Sequence, residues 1–180
     1  MKTLLLLSGG MDSVTLLYDL CNRNEVVCLA FDYGQKHKKE LECAKYHADR
    51  MNCLFELLKI PELGGLSYDN WIVPNRNAIF ISIATNRAVK YQCVEIAIGC
   101  NKDDNDMFPD CRRAFIDSMN ASLWLAGYAC KVVAPYIDCP KWMIRDVANQ
   151  FGIDPKTTWS CYRGLQDPCG ECPACKKAFK

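Results

Sequence analysis

Apolar positions along the chain fall into two alternating kinds of run. Thr3 to Leu7, Val26 to Phe31, Cys53 to Ile60, Val94 to Gly99 and Lys131 to Pro135 are short and nearly continuous, the form of strands buried on both faces. Between them lie longer segments in which apolar residues recur at helical spacing. These predict helices from a glycine turn through about Cys21, over Lys38–Met51, over Asn77–Tyr91 and from Pro109 to Leu125. Pro61 to Pro74 reads as a loop, being punctuated by Gly64, Gly65 and two prolines. Strands that alternate with helices build a parallel sheet with crossover helices, so the pattern predicts a doubly wound α/β fold on five strands. Beyond Phe151 the composition shifts and Cys, Pro and Gly become dense. The expected division is therefore a main domain, 1–152, and a cysteine-bearing segment, 153–180, packed on it.

Composition narrows the function. The chain has 180 residues, half of them apolar and 24% charged, enough to bury about 70% of its unfolded surface without help from metals or disulfides. Lys and Arg total 22 against 21 Asp and Glu, a formal charge of +1. That balance supplies no field for gripping nucleic acid, so a small-molecule partner is expected instead. The apolar run Leu4 to Leu7 ends at Ser8 and Gly9, which is too short for a signal peptide or a membrane span, and a cytoplasmic protein is expected. In a reducing compartment thirteen cysteines argue for buried thiols and a metal site rather than a disulfide framework.

The sharpest local signal is Ser8-Gly9-Gly10-Met11-Asp12-Ser13, set between a strand and a helix. Glycines let successive N–H groups converge on one point, the helix adds its positive end, and Ser8 and Ser13 add hydroxyl donors; together these cradle an anion. The loop lacks both the Gly-Lys-Ser/Thr ending of a Walker motif and the dinucleotide fingerprint. Asp12 among phosphates would repel them unless a divalent cation stood between, which assigns it to Mg²⁺ and the ligand to a nucleoside triphosphate. The segment from Leu7 to Val14 is accordingly the candidate nucleotide site. The plain alternative is a tight turn whose Ser or Asp caps the helix.

This loop resembles the motif of the N-type ATP pyrophosphatases, the PP-loop family, which cleave ATP between the α and β phosphates and pass AMP to a substrate oxygen. Four further segments extend the likeness over almost the whole chain: Phe31 to His37 (Phe-Asp-Tyr-Gly-Gln-Lys-His), Val73 to Asn77 (Val-Pro-Asn-Arg-Asn), Phe108 to Arg112 (Phe-Pro-Asp-Cys-Arg) and the tail from Cys161 to Cys175. In this order they resemble the 7-cyano-7-deazaguanine synthases of queuosine biosynthesis. The resemblance implies conversion of 7-carboxy-7-deazaguanine and ammonia to the amide and then the nitrile, with ATP used at each stage, Mg²⁺, a structural zinc and a homodimer.

Roles for individual residues follow within that resemblance. Phe31 would end its strand at the carboxyl edge of the sheet and hold adenine, or else be a core residue. Arg76 offers a planar fork to a carboxylate or phosphate, and Asn77 caps the helix that begins there or touches substrate. Asp110 would accept from the N–H edge of the guanine-like base, and Arg112 would steady the transferring phosphate, unless the two form only a solvated ion pair. Asp12, Ser13, Arg76 and Arg112 make the candidate catalytic set. The acidic run Asp103, Asp104, Asp106 reads as solvated surface, and His47 as structural.

Cys161, Cys169, Cys172 and Cys175 give C-x7-C-x2-C-x2-C, interleaved with Pro168, Gly170 and Pro173. Four thiolates so spaced suit one tetrahedral Zn²⁺, closed and structural; an iron–sulfur cluster uses the same ligand set. The other nine cysteines sit in apolar runs and read as small core residues, Cys111 excepted. Three other functions stay open at this point. They are a shortened relative that stops at 7-amido-7-deazaguanine, a PP-loop enzyme that thiolates tRNA and carries an iron–sulfur cluster, and a non-enzymatic zinc-stabilised nucleotide-binding module.

Overall fold

A computed structural model describes residues 1–67 and 72–178. Its strands are β1 (Lys2–Leu6), β2 (Glu25–Asp32), β3 (Leu54–Lys59), β4 (Glu95–Ala97) and β5 (Lys131–Val133). Its helices are α1 (Met11–Cys21), α2 (Lys39–Arg50), α3 (Arg76–Tyr91), α4 (Arg113–Leu125), α5 (Lys141–Gln150) and α6 (Pro173–Ala178). The sheet runs β3-β2-β1-β4-β5 and every pairing is parallel. Strand order reverses at β1, whose neighbours are β2 and β4, and a crevice opens at such a switch beyond the carboxyl ends of the strands.

Both faces of the sheet are buried, and β1 shows why its sequence is an unbroken run of leucines. Side chains alternate along a strand, so Leu4 and Leu6 join one core with Ile81 of α3 and Ile116 of α4. Leu5 and Leu7 join the other, with Leu17 of α1, Ala44 of α2 and Ile144 of α5. A third, smaller cluster gathers Trp159, Cys161, Cys172 and Cys175 around Cys43 of α2.

The predicted strands and helices are present with shifted ends, and α5 and α6 are additions to them. Only Ile144 and Ala148 of α5 are fully buried, too faint a stripe to read in advance. Pro61–Leu66 forms a 3₁₀ helix within the predicted loop. Pro109–Cys111 is a separate 3₁₀ turn, and α4 begins only after Arg112 has passed through an extended conformation. The part of the Pro61 to Pro74 loop at residues 68–71 lies outside the described residues.

Candidate active site

The chain leaves β1 through Leu7, whose N–H still bonds Leu29 of β2, and turns sharply at Gly9. Gly9 has a φ of 84°, and a Cβ there would collide with the Glu40 carbonyl of α2. Glycine is thus required twice, by conformation and by the packing of α2 against the turn. Gly10 then enters α1 with no side-chain cap on that helix, which leaves N–H groups of its first turn for a ligand. Ser8 and Ser13 hold the turn closed: their hydroxyls lie 3.0 Å apart, Ser13 Oγ donates to Gly10 O, and Gly10 N–H donates to Ser8 Oγ. On the far side Gly99, just past β4, lets that strand pass Ser13, since a Cβ would stand 3.2 Å from its nitrogen.

Above this turn lies a cavity of about 620 Å³, within the range of small-ligand sites. Leu7, Ser8, Gly10, Met11, Asp12, Ser13 and Phe31 line it, as do Arg76, Asn77 and Asp110. Gly9 faces α2 instead, Val14 is fully buried in the core, and neither reaches the wall. Arg112 is not on the wall either: it is exposed, and its Nε donates to Asn105 O at 2.7 Å. The motif around it divides because Cys111 turns inward while Arg112 is extended.

Asp12 stands at the centre of a polar network that joins three segments. Its Oδ2 accepts from Lys141 Nζ at 2.9 Å and from Asn101 Nδ2 at 3.0 Å, whereas its Oδ1 is buried with no partner among the described residues. Asn101 is itself fully buried, and its second amide hydrogen goes to Asp104 Oδ2 at 2.7 Å. Asn101 Oδ1 accepts from Asp103 N–H, and Asp103 Oδ2 accepts from the Lys141 N–H that opens α5. The acidic run is therefore not merely solvated surface, since Asp104 lines the cavity and Asp103 anchors a helix. Lys141 and Asn101 were not legible in the sequence, because each belongs to the site only through segments far away along the chain.

Phe31 lies in β2 and is almost completely buried; it stacks on Phe80 of α3 with centroids 4.1 Å apart and planes 8° from parallel. It is both core and wall. Arg76 opens α3 beneath a left-handed Asn75, donates from Nη1 to Tyr33 Oη at 3.1 Å and lies 5.5 Å over the Tyr33 ring. Its Nε is buried without a partner, and no carboxylate among the described residues pairs with it. A guanidinium held this way is a ready site for an anion. Asn77 does not cap α3. Its own N–H donates to Asp110 Oδ2, and its Nδ2 donates to Asp110 O and to Cys111 Sγ, so that Asp110 caps the helix from another segment. Cys100 and Cys111 both line the cavity, and bonding to Cys111, together with burial, holds the Cys100 thiol well above its usual range.

The four tail thiols converge. Cys161, Cys169, Cys172 and Cys175 have sulfurs all within 4.8 Å of one another, and Cys169 to Cys175 is 3.9 Å. A tetrahedron with bonds of about 2.3 Å has edges of ~3.8 Å, so the cluster could bind a single metal ion. Backbone N–H groups of Cys172 and Glu171 pull the Cys169 thiol down to about 6, and burial pushes Cys175 up to about 12. This segment also touches the turn after β1 directly, for Trp159 N–H donates to Gly9 O at 2.9 Å.

Comparison with known proteins bears on the fold and on the family. Solved structures of similar fold include the U34-tRNA thiolase NcsA of Methanococcus maripaludis (14% identical, TM-score 0.59, covering 99% of this chain and 62% of that one). Another is the NH3-dependent NAD synthetase of Campylobacter jejuni (21% identical, TM-score 0.57, 87% and 66%). Curated sequences are much nearer. The 7-cyano-7-deazaguanine synthase of Caldicellulosiruptor saccharolyticus is 36% identical over 209 residues, covering 100% of this chain and 90% of that one. That of Methanoregula boonei is 34% identical over 202 residues, 100% and 93%. The family model described as queuosine biosynthesis protein QueC matches residues 2–71 and 62–180. Matched by that family model over almost its whole length, and by 7-cyano-7-deazaguanine synthases at 36% and 34% identity over all of it, this protein belongs to the QueC family of queuosine biosynthesis proteins.

Proposed function

We propose that the protein makes 7-cyano-7-deazaguanine from 7-carboxy-7-deazaguanine and ammonia, using ATP twice. The observation that carries the reading is Asp12 at the uncapped start of α1, with Oδ2 held by Lys141 and Asn101 and Oδ1 buried and unpartnered. A carboxylate oxygen left bare in a phosphate turn fits a divalent cation. Bound there, Mg²⁺ would neutralise charge on the phosphates.

The chain's own groups then divide the work. Ser8, Gly10 and the N–H groups of the first turn of α1 hold the phosphates, and the Phe31 and Phe80 pair offers an apolar face to adenine. Arg76, rather than the outlying Arg112, receives the substrate carboxylate or the α phosphate. Asp110, whose Oδ2 is engaged by Asn77, presents its other oxygen to the base edge. The carboxylate oxygen attacks the α phosphorus and pyrophosphate leaves. Ammonia displaces AMP to form the amide, a second ATP activates the amide oxygen, and loss of AMP leaves the nitrile. Positioning and charge neutralisation account for the rate in such a scheme. For the tail we infer a structural Zn²⁺. The sulfur spacing favours it, because a four-iron cube would hold the same thiolates further apart than one ion does.

Mass spectrometry of products after mixing protein, ATP, Mg²⁺, ammonium and 7-carboxy-7-deazaguanine tests the reading. The nitrile with two AMP per turnover is expected. Accumulation of the amide alone would restrict the enzyme to the first half, and absence of both would refute the proposal.

A further inference from the structure

His37 precedes α2 and stands on the cavity wall, although it is buried to 92%. Its Nε2 lies 3.3 Å from Glu40 Oε2, one helical turn away. The carboxylate is fixed in its turn: Glu40 Oε1 accepts from Gln35 Nε2 at 2.8 Å. Gln35 is clamped at both ends, donating to Phe31 O and accepting the Tyr33 N–H. Each link of this chain is a short-range contact from β2 to α2, so the imidazole is held by the backbone that forms the cavity wall. A carboxylate facing Nε2 keeps the ring proton there and leaves Nδ1 as the basic nitrogen. Nδ1 is buried and has no partner among the described residues. An unpaired buried nitrogen gains by accepting a hydrogen bond, which a proton donor bound in the cavity can supply.

The same segment adjoins the nucleotide turn, because the Glu40 backbone packs on Gly9. A base, its orienting carboxylate and an anion cradle thus meet in one cavity, the arrangement of a general-base dyad beside a transferring acyl group. Resting on the function proposed above, we propose that His37, oriented by Glu40, takes the proton released when ammonia attacks the adenylated carboxylate. The new bond joins nitrogen to the acyl carbon. The bond from that carbon to the phosphate oxygen breaks, and AMP departs with its electron pair. One proton passes from the attacking nitrogen to His37 Nδ1, leaving the neutral amide.

The test uses the full chain with ATP, Mg²⁺, ammonium chloride and 7-carboxy-7-deazaguanine. Two readouts separate the halves of the reaction: exchange of pyrophosphate into ATP that depends on the deazaguanine acid, and amide formed in a single turnover. In His37→Ala, and in His37→Gln should the first variant fold poorly, amide formation is expected to fall about 100-fold or more while exchange persists. AMP released per amide rises as water captures the adenylate. Added imidazole restores at least about tenfold of the loss in His37→Ala and does nothing for the unsubstituted protein. Glu40→Gln slows the same step by a smaller factor. Amide formation within about threefold of normal overturns the inference, as does failure of imidazole to rescue a folded His37→Ala. So does equal loss of exchange and amide formation, which would make His37 a binding residue. Absence of exchange in the unsubstituted protein refutes the proposed function itself, whatever His37 does.

Discussion

Lys141 Nζ lies 2.9 Å from Asp12 Oδ2, a pair separated by 129 positions in sequence and shielded on both sides, with side-chain exposures of 19% and 15%. The lysine thereby fixes one oxygen of the carboxylate, while the other is buried without a partner among the described residues. Asp12→Asn is expected to cut pyrophosphate release by at least about 100-fold, with a thermal midpoint within about 5 °C of normal. Lys141→Met should lower kcat/KM for ATP by about tenfold, since a charge-assisted hydrogen bond is worth about 1.5 kcal/mol or more. The double variant should be no worse than Asp12→Asn alone, because lysine acts through the carboxylate. Additive losses in a double-mutant cycle would show that it acts independently.

Gly9 is the position where the turn tolerates least. Gly9→Ala places a side chain at φ 84° against the Glu40 carbonyl and is expected to destabilise the fold by about 2–4 kcal/mol. Gly65→Ala, which meets nothing within 4 Å, serves as the control. Urea unfolding of the two variants decides between a strained turn and a merely flexible one.

Removing a tail thiol should loosen more than the tail. Cys172→Ser is expected to abolish stoichiometric zinc and to lower the thermal midpoint by roughly 6–12 °C, the equivalent of about 3 kcal/mol in a chain of this size. Nucleotide affinity should fall with it, because Trp159 bonds Gly9. Cys93→Ala, at a buried thiol remote from the cluster, should retain its metal. Metal analysis and nucleotide titration on the same samples test both statements.

His47 gives a pH signature. It is 1% exposed, bonded through Nδ1 to Tyr18 Oη at 3.0 Å and through Nε2 to Thr157. Burial lowers its pKa from the free value of 6.5. The unfolded chain therefore binds a proton that the native state resists, so the stabilisation is complete above 6.5 and is lost as pH falls from there through the depressed native value. His47→Gln should be less stable at pH 8 but flatter between pH 8 and pH 5.5 in urea midpoint. An equally steep dependence in the variant would assign the titration elsewhere.

What the sequence made legible and what it hid divide along physical lines. The run of leucines in β1, the turn after it and the spaced tail cysteines are local patterns, and each appears where the pattern put it. Lys141 escaped notice because α5 buries only Ile144 and Ala148 and its first residue matters solely through Asp12. Asn101 is hidden for the same reason. Within the Phe108 to Arg112 segment the sequence could not tell inward from outward: backbone extension at Arg112 sends Cys111 into the wall and the guanidinium to Asn105. Asp110 capping α3 in place of Asn77 is a contact between segments, which spacing along one segment cannot express.

The bond from Trp159 to Gly9 has a consequence for biosynthesis on the ribosome. A nascent chain that has emerged only as far as α5 already owns its whole sheet, yet the Gly9 carbonyl still lacks the Trp159 N–H that closes it. Closure of that turn must therefore wait for translation to deliver Trp159, so the last hydrogen bond on Gly9 forms only once the chain beyond α5 has folded back on it.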